Sequence, residues 1–193
     1  MYMGTVNSSF GTMHSKAQIE YANKELKNLY IHDHMTGLLN RRGFYRLLQK
    51  LIDSSKNDST SIVIISADLD GLKYINDTFG HFEGDNAISE AARALLANTS
   101  NMDICARFGG DEFVVAALVP EGTEKQYFLK LKNGFLKKLA EYNSSSGKAY
   151  HIGSSIGFFA EKLTADFDME KMLQLADKQM YADKAARKKE RNN

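Results

Sequence analysis

The residues in this chain best suited to chemistry are two adjacent carboxylates, Asp111 and Glu112, which follow a pair of glycines in Arg107-Phe108-Gly109-Gly110-Asp111-Glu112-Phe113. Apolar runs flank them, Ile104 to Phe108 and Phe113 to Val119, and this predicts a hairpin with the acids at its tip, since glycine supplies the positive φ of a tight turn. Glycines also let a second molecule approach the backbone, and paired acids beside them favour a divalent cation. In isolation a solvated acidic turn would look the same. The decisive addition is Asp68, in Asp68-Leu69-Asp70-Gly71, where the β-branched run Ser61 to Leu69 ends. Such a run predicts a strand buried on both faces, and acids at the end of a buried strand need a partner such as a metal or a phosphate. With the hairpin beside that strand, Asp68, Asp111 and Glu112 converge and call for magnesium or manganese.

A hard divalent ion with few protein ligands is completed by a nucleoside triphosphate. Lys73 and the backbone N–H groups of Gly71 and Leu72 can hold its phosphates at the start of the next helix. Asn76 and Asp85 offer a base-reading pair. A carboxylate accepts from N1–H and the exocyclic amine of guanine, a donor pair that adenine lacks, so Asp85 points to guanine. His81, between glycines, reads as a packing or hydrogen-bonding element of a turn.

Around these residues the elements follow from periodicity. Helices are predicted over about Arg41 to Ser54 with Asn40 as cap, over a short segment carrying Lys73 and Asn76, and over about Asp85 to Asn98. Glu124 to Tyr142 forms another, with Tyr127, Phe128, Leu131, Phe135 and Leu139 inward. A strand over His151 to Phe159 is expected to pack beneath the hairpin, and a last helix from Met169 to about Lys189 buries Met172, Leu173, Ala176 and Met180. Residues 1–30 form a separate N-terminal segment: a loose terminus to His14, then a helix from Ser15 to Tyr30 with an a/d stripe at Ile19, Ala22, Leu26 and Leu29. That helix either lies on its own domain or ends a dimeric stalk leading from an upstream sensor or partner. Residues 31–193 form the main domain.

With 193 residues and a net charge of +1, the chain carries no electrostatic footprint for nucleic acid. No apolar stretch reaches membrane-spanning length. The single cysteine, Cys105, reads as a small buried hydrophobe, and a cytoplasmic location is expected, whether free or at the end of a longer sensor protein.

Several blocks agree in order and spacing with one known family. Asp33-His34-Met35-Thr36-Gly37-Leu38-Leu39-Asn40-Arg41-Arg42, Asp68-Leu69-Asp70, Lys73 with Asn76-Asp77, Gly80-His81 with Gly84-Asp85, the Gly109-Gly110-Asp111-Glu112-Phe113 hairpin, and Tyr181 with Lys184 resemble the GGDEF domains of diguanylate cyclases over about Asp33 to Lys188. The resemblance implies an α+β fold with a polymerase-palm or ferredoxin-like core, a mostly antiparallel five-stranded sheet surrounded by helices. It implies condensation of two GTP into cyclic di-GMP and two pyrophosphates across a homodimer. By position, Asp68, the Leu69 carbonyl, Asp111 and Glu112 would hold two magnesium or manganese ions per half-site. Asp111 would be the base for the attacking 3′-hydroxyl, Glu112 and Lys73 would join it in catalysis, Asn76 and Asp85 would read guanine, and Lys73, Lys184 and Lys188 would neutralise phosphates. The resemblance also allows a catalytically idle module that binds GTP or mediates dimerisation. Two departures stand out. The family's inhibitory Arg-x-x-Asp has Ser100 in place of arginine while Asp103 remains, so inhibition through that site is expected to be weak or absent. The family's Gly-Arg after Tyr-x-x-Lys is Arg187-Lys188 here, which keeps a charge but not a bidentate one.

Overall fold

The computed structural model describes residues 30–55, 59–164 and 166–191. The N-terminal helix expected from Ser15 lies outside the described residues except at Tyr30. The central strand, β2 (Thr60–Asp70), is buried along its whole length, as its unbroken Ile62-Val63-Ile64-Ile65 run demands. It pairs antiparallel on one side with β4 (Glu112–Pro120) and on the other with β5 (Gly153–Lys162). β3 (Ile104–Gly109) pairs antiparallel with β4, and the two-residue β1 (Leu39–Asn40) adds in parallel to β3, giving a five-stranded sheet in the order β1-β3-β4-β2-β5. The expected mostly antiparallel sheet is therefore present, with one parallel pair at its edge.

Because β2 is covered on both sides, alternate residues feed two cores. Val63, Ile65, Ala67 and Leu69 pack with α2 (Leu72–Phe79), α3 (His81–Leu96) and α4 (Glu124–Ser145). Ile62 and Ile64 pack with α1 (Arg41–Ser54) and α5 (Met169–Arg191), against Phe44, Leu48, Met172 and Ala176. Asn40 caps α1 by accepting from the Gly43 N–H at 2.9 Å, while its amide donates to the carbonyls of Tyr30 and His32.

Three local expectations change. Strand β5 does not lie beneath the hairpin; it sits on the far side of β2, at the sheet edge. Its small residues serve α5 instead, since a Cβ at Gly157 would collide with the Met180 backbone. α3 begins at His81 rather than Asp85, because Gly80 (φ 91°) absorbs the whole bend between α2 and α3 and leaves His81 to Gly84 free to start the helix. α4 continues to Ser145, past the Tyr142 end predicted for it. Among the described residues, no helix is long and apolar enough to cross a membrane.

Candidate active site

The site forms where β2 ends beside the β3–β4 turn. Gly109 pairs with Glu112, leaving Gly110 (φ 52°) and Asp111 as the two turn residues, and a register shift between Arg107 and Gly109 sets Phe108 as a bulge. Arg107 holds the turn from below: its Nε and Nη2 donate to the Gly110 carbonyl at 3.0 and 2.8 Å. Its Nη1 donates to both oxygens of Asp33 at 3.1 and 3.2 Å. Asp33 also accepts from the backbone N–H and hydroxyl of Thr36. The segment before α1 thus fixes the hairpin, a role that neither residue type nor spacing disclosed.

The antiparallel register makes Asp68 and Glu112 direct Cα partners. Next to them the Leu69 N–H donates to the Asp111 carbonyl at 3.1 Å. Asp68, Asp111 and Glu112 do converge. The strand end is locked from the other side as well, where Ser154 donates its hydroxyl to the Asp68 carbonyl and Ser155 donates to Asp70 Oδ1 at 2.7 Å. From α5, Lys184 Nζ reaches across to Asp68 Oδ1 at 2.6 Å.

Electrostatics record the crowding. Burial, then the charges of Asp111 and Asp70, push the Asp68 carboxyl above its ordinary range in spite of Lys184. Partial desolvation and the charges of Asp177, Asp111 and Asp68 push Glu112 up in the same way. Burial opposes charge on Lys184, yet the hydrogen bond it donates to Asp68 and the surrounding acids raise its pKa. Carboxylates held this way have the hard oxygen donors a divalent cation needs, and their mutual repulsion is what such an ion relieves. With the side chains as they stand, among the described residues no three His, Cys, Asp or Glu groups are placed to hold a metal ion, and the Lys184 ammonium sits on the carboxylate that an ion would share.

Comparison with known proteins identifies the family. The family described as "Diguanylate cyclase, GGDEF domain" matches residues 30–190. The chain belongs to the GGDEF family. Over 173 residues it is 31% identical to the diguanylate cyclase DgcP of Escherichia coli, covering 89% of this chain and 50% of that protein. Over 136 residues it is 35% identical to the bifunctional diguanylate cyclase/cyclic di-GMP phosphodiesterase MucR of Pseudomonas aeruginosa, covering 70% of this chain and 19% of that protein. The chain therefore spans half or less of the length of these two relatives. A sensory box/GGDEF family protein of Caulobacter crescentus is similar in structure, with a TM-score of 0.67 and 31% identity over 81% of this chain and 99% of that one. The coiled coil and GGDEF domain of DgcB from the same organism share the fold, at a TM-score of 0.77 and 20% identity over 95% of this chain and 96% of that one.

Gly71, Leu72, Lys73, Asn76 and Asp85, further expected site residues of this GGDEF domain, lie on the α2–α3 side. Gly71 (φ 75°) starts α2, so the first N–H groups of Leu72 and Lys73 point out of the helix end. The Lys73 side chain is 91% exposed and reaches Asp77 at 3.4 Å, away from Asp68. Asn76 faces α3 so closely that a Cβ at Gly84 would strike its amide oxygen, which brings it near Asp85, exposed one residue on. Lys188 is exposed one turn beyond Lys184, whereas Arg187 is tied back to Asp183 at 2.9 Å. Asp103 lies at the opposite end of β3 from the turn, accepting from the Ser100 N–H and the Tyr127 hydroxyl, both at 2.7 Å. Sequence reading missed Ser66 and Asp177, which with Glu112 line a cavity of ≈ 300 Å³ between β2, α1 and α5. Only their meeting in space marks them.

Proposed function

We propose that this GGDEF domain is a diguanylate cyclase, joining two GTP into cyclic di-GMP with loss of two pyrophosphates, each subunit of an antiparallel homodimer presenting one GTP. The observation that carries this reading is the register of Asp68 against Glu112, with the Lys184 ammonium at 2.6 Å on the same carboxylate. An acidic centre with an ammonium beside it suits a reaction in which negative charge grows on a leaving pyrophosphate. The names of DgcP and MucR support the same activity.

In this reading Asn76 from α2 and Asp85 from the first turns of α3 hold the guanine, and Asp85 selects it by accepting from N1–H and the exocyclic amine. The N–H groups at Gly71 and Leu72 and the flexible Lys73 face the phosphates, with Lys184 and Lys188 approaching from α5. Asp111, on the turn, takes the proton of the 3′-hydroxyl brought by the partner subunit; the O–P bond forms at the α-phosphorus as the bond to pyrophosphate breaks. Lys184 leaves Asp68 and follows the leaving group's charge. Magnesium or manganese, two ions per half-site held by Asp68, the Leu69 carbonyl, Asp111 and Glu112, would polarise the α-phosphate and make the 3′-hydroxyl more acidic.

The rival reading, an idle GTP-binding or dimerisation module, draws on one feature: Lys184 closes the carboxylate that a metal would need. Residues before Tyr30 would pass input from an upstream sensor or partner; a crystal structure of the diguanylate cyclase SiaD with its activator SiaC offers a precedent in a similar fold. Incubating the chain with GTP and magnesium at several protein concentrations, with chromatographic separation and an Asp111→Ala/Glu112→Ala control, decides between the two. Cyclic di-GMP formed at a rate steeper than first order in protein is the expected result. GTP binding without product, at concentrations where the chain is dimeric, rejects the cyclase.

A further inference from the structure

The cavity beside Glu112 is not used by the reaction just described. It lies on the sheet face covered by α1 and α5, whereas Asn76 and Asp85 belong to the helices on the opposite face. Its volume, ≈ 300 Å³, is at the lower end of small-molecule sites. Its floor holds a polar group without explanation: Ser66, only 2% exposed on the central strand, has a buried hydroxyl with no hydrogen-bond partner among the described residues. Burying a hydroxyl unpaired is costly, and the neighbouring even positions of β2, Ile62 and Ile64, are apolar. A ligand group reaching that floor would satisfy it.

The walls narrow the class of ligand. Tyr45 and Phe108 stack with ring centroids 6.1 Å apart, and Arg41 lies over both rings at 5.8 and 5.5 Å. This makes a flat aromatic side with a fork of donors above it. On the α5 side stand Asp177, Gln174 and Glu170, the last already accepting from the Tyr45 hydroxyl at 2.7 Å. The rim therefore carries more acid than base and repels a phosphate, while it offers carboxylate acceptors and a guanidinium to something planar. Guanine matches on both edges: N1–H and the exocyclic amine suit a carboxylate, and O6 with N7 suit an arginine fork. Adenine offers neither pairing.

We infer that this cavity is a second guanine-base site, taking the base of an additional guanine nucleotide, substrate or product, with Ser66 at its floor and Asp177 and Arg41 as its readers. The inference rests on the proposed use of guanine nucleotides. Glu112 lines the cavity and also faces Asp68, so a base bound there sits against the reacting carboxylates.

Guanosine, which has no phosphates, is the probe. In the intact chain with its methionine methyls labelled, the Met180 methyl, buried in the cavity wall, reports this site, and the Asn76 side-chain amide reports the other. Guanosine is expected to shift both signals. Ser66→Val and Asp177→Asn should each weaken the Met180 response roughly tenfold, the loss of one hydrogen bond to a buried or charged partner, and leave that of Asn76 in place. GTP or cyclic di-GMP, whichever is the natural occupant, should displace guanosine from the cavity. A Met180 signal that ignores guanosine, responds equally to adenosine, is unaffected by both substitutions, or yields to neither nucleotide overturns the inference. Failure of the Asn76 signal alone overturns instead the base assignment of the cyclase reading.

Discussion

Arg107 and Asp33, 74 residues apart, meet through a two-oxygen contact at 3.1 and 3.2 Å while the other side of the same guanidinium holds the Gly110 carbonyl. The arginine is 9% exposed and the aspartate 16%, so the pair is largely removed from water. The position of the Gly110-Asp111 turn is thereby tied to the segment that immediately follows Tyr30.

Breaking this pair should cost both stability and turnover. Asp33→Ala leaves a mostly buried guanidinium half-paired, and a loss of about 3 kcal/mol is expected, read from the denaturant midpoint. Turnover at temperatures where the variant is folded should also fall. A folded variant with full activity would show that the turn holds its place unaided.

The same pair sets an acid limit. Burial acts to raise the Asp33 carboxyl, but donation from Thr36 and Arg107 outweighs it and leaves the group below its ordinary value. An unfolded aspartate titrates near about pH 3.9. The contribution of Asp33 is therefore fully present above that pH and is lost as pH falls through the lower folded value. Denaturation midpoints followed down to about pH 3 should decline more steeply for the native chain than for Asp33→Asn. Parallel curves would exclude Asp33 as a source of acid sensitivity.

Lys184→Met separates the two cations that Asp68 can use. Turnover should drop by about a hundredfold or more, as when a charge-stabilising donor is lost from a transition state. Without metal, stability should fall by about 1 kcal/mol, since the lysine is partly solvated and Asp68 can protonate. Magnesium should then raise the melting temperature of the variant more than that of the native chain, because the ion no longer competes with an ammonium. An equal or smaller rise would show that Asp68 is not a metal ligand.

Gly84→Ala tests base reading through geometry rather than charge. The new methyl would strike the Asn76 amide oxygen and force that side chain aside. The KM for GTP should rise about tenfold, the cost of one lost hydrogen bond, with the denaturation midpoint changed by about 1 kcal/mol or less. An unchanged KM removes Asn76 from the base site.

Asp103 is predicted to be structural. Its carboxylate is engaged by the Ser100 N–H and by the Tyr127 hydroxyl, whose acidity burial and Asp103 both suppress. Asp103→Ala should cost about 2 kcal/mol by leaving that hydroxyl unpaired, and inhibition by cyclic di-GMP should stay as weak as in the native chain. Tight product inhibition that the substitution abolishes would reverse this assignment.

Local pattern determined much of this protein. The apolar run of β2, the hairpin with Asp111 at its tip, the Asn40 cap and the inward stripes of α1, α4 and α5 are all readable, because side-chain periodicity and glycine's backbone freedom act over a few residues, although the turn itself is Gly110-Asp111 rather than the glycine pair. The sequence also named Asp68, Asp111 and Glu112 as a group, on the assumption that the hairpin adjoins β2; the hairpin does adjoin β2, with Asp68 opposite Glu112. Tertiary structure alone decided the rest. The placement of β5 at the far edge, the reach of Lys184 to Asp68 across 116 residues, the grip of Asp33 on Arg107, and the meeting of Ser66 with Asp177 depend on sheet order and on which helix covers which face. Those are settled by the burial of whole faces against one another, a collective balance that no short stretch of chain encodes.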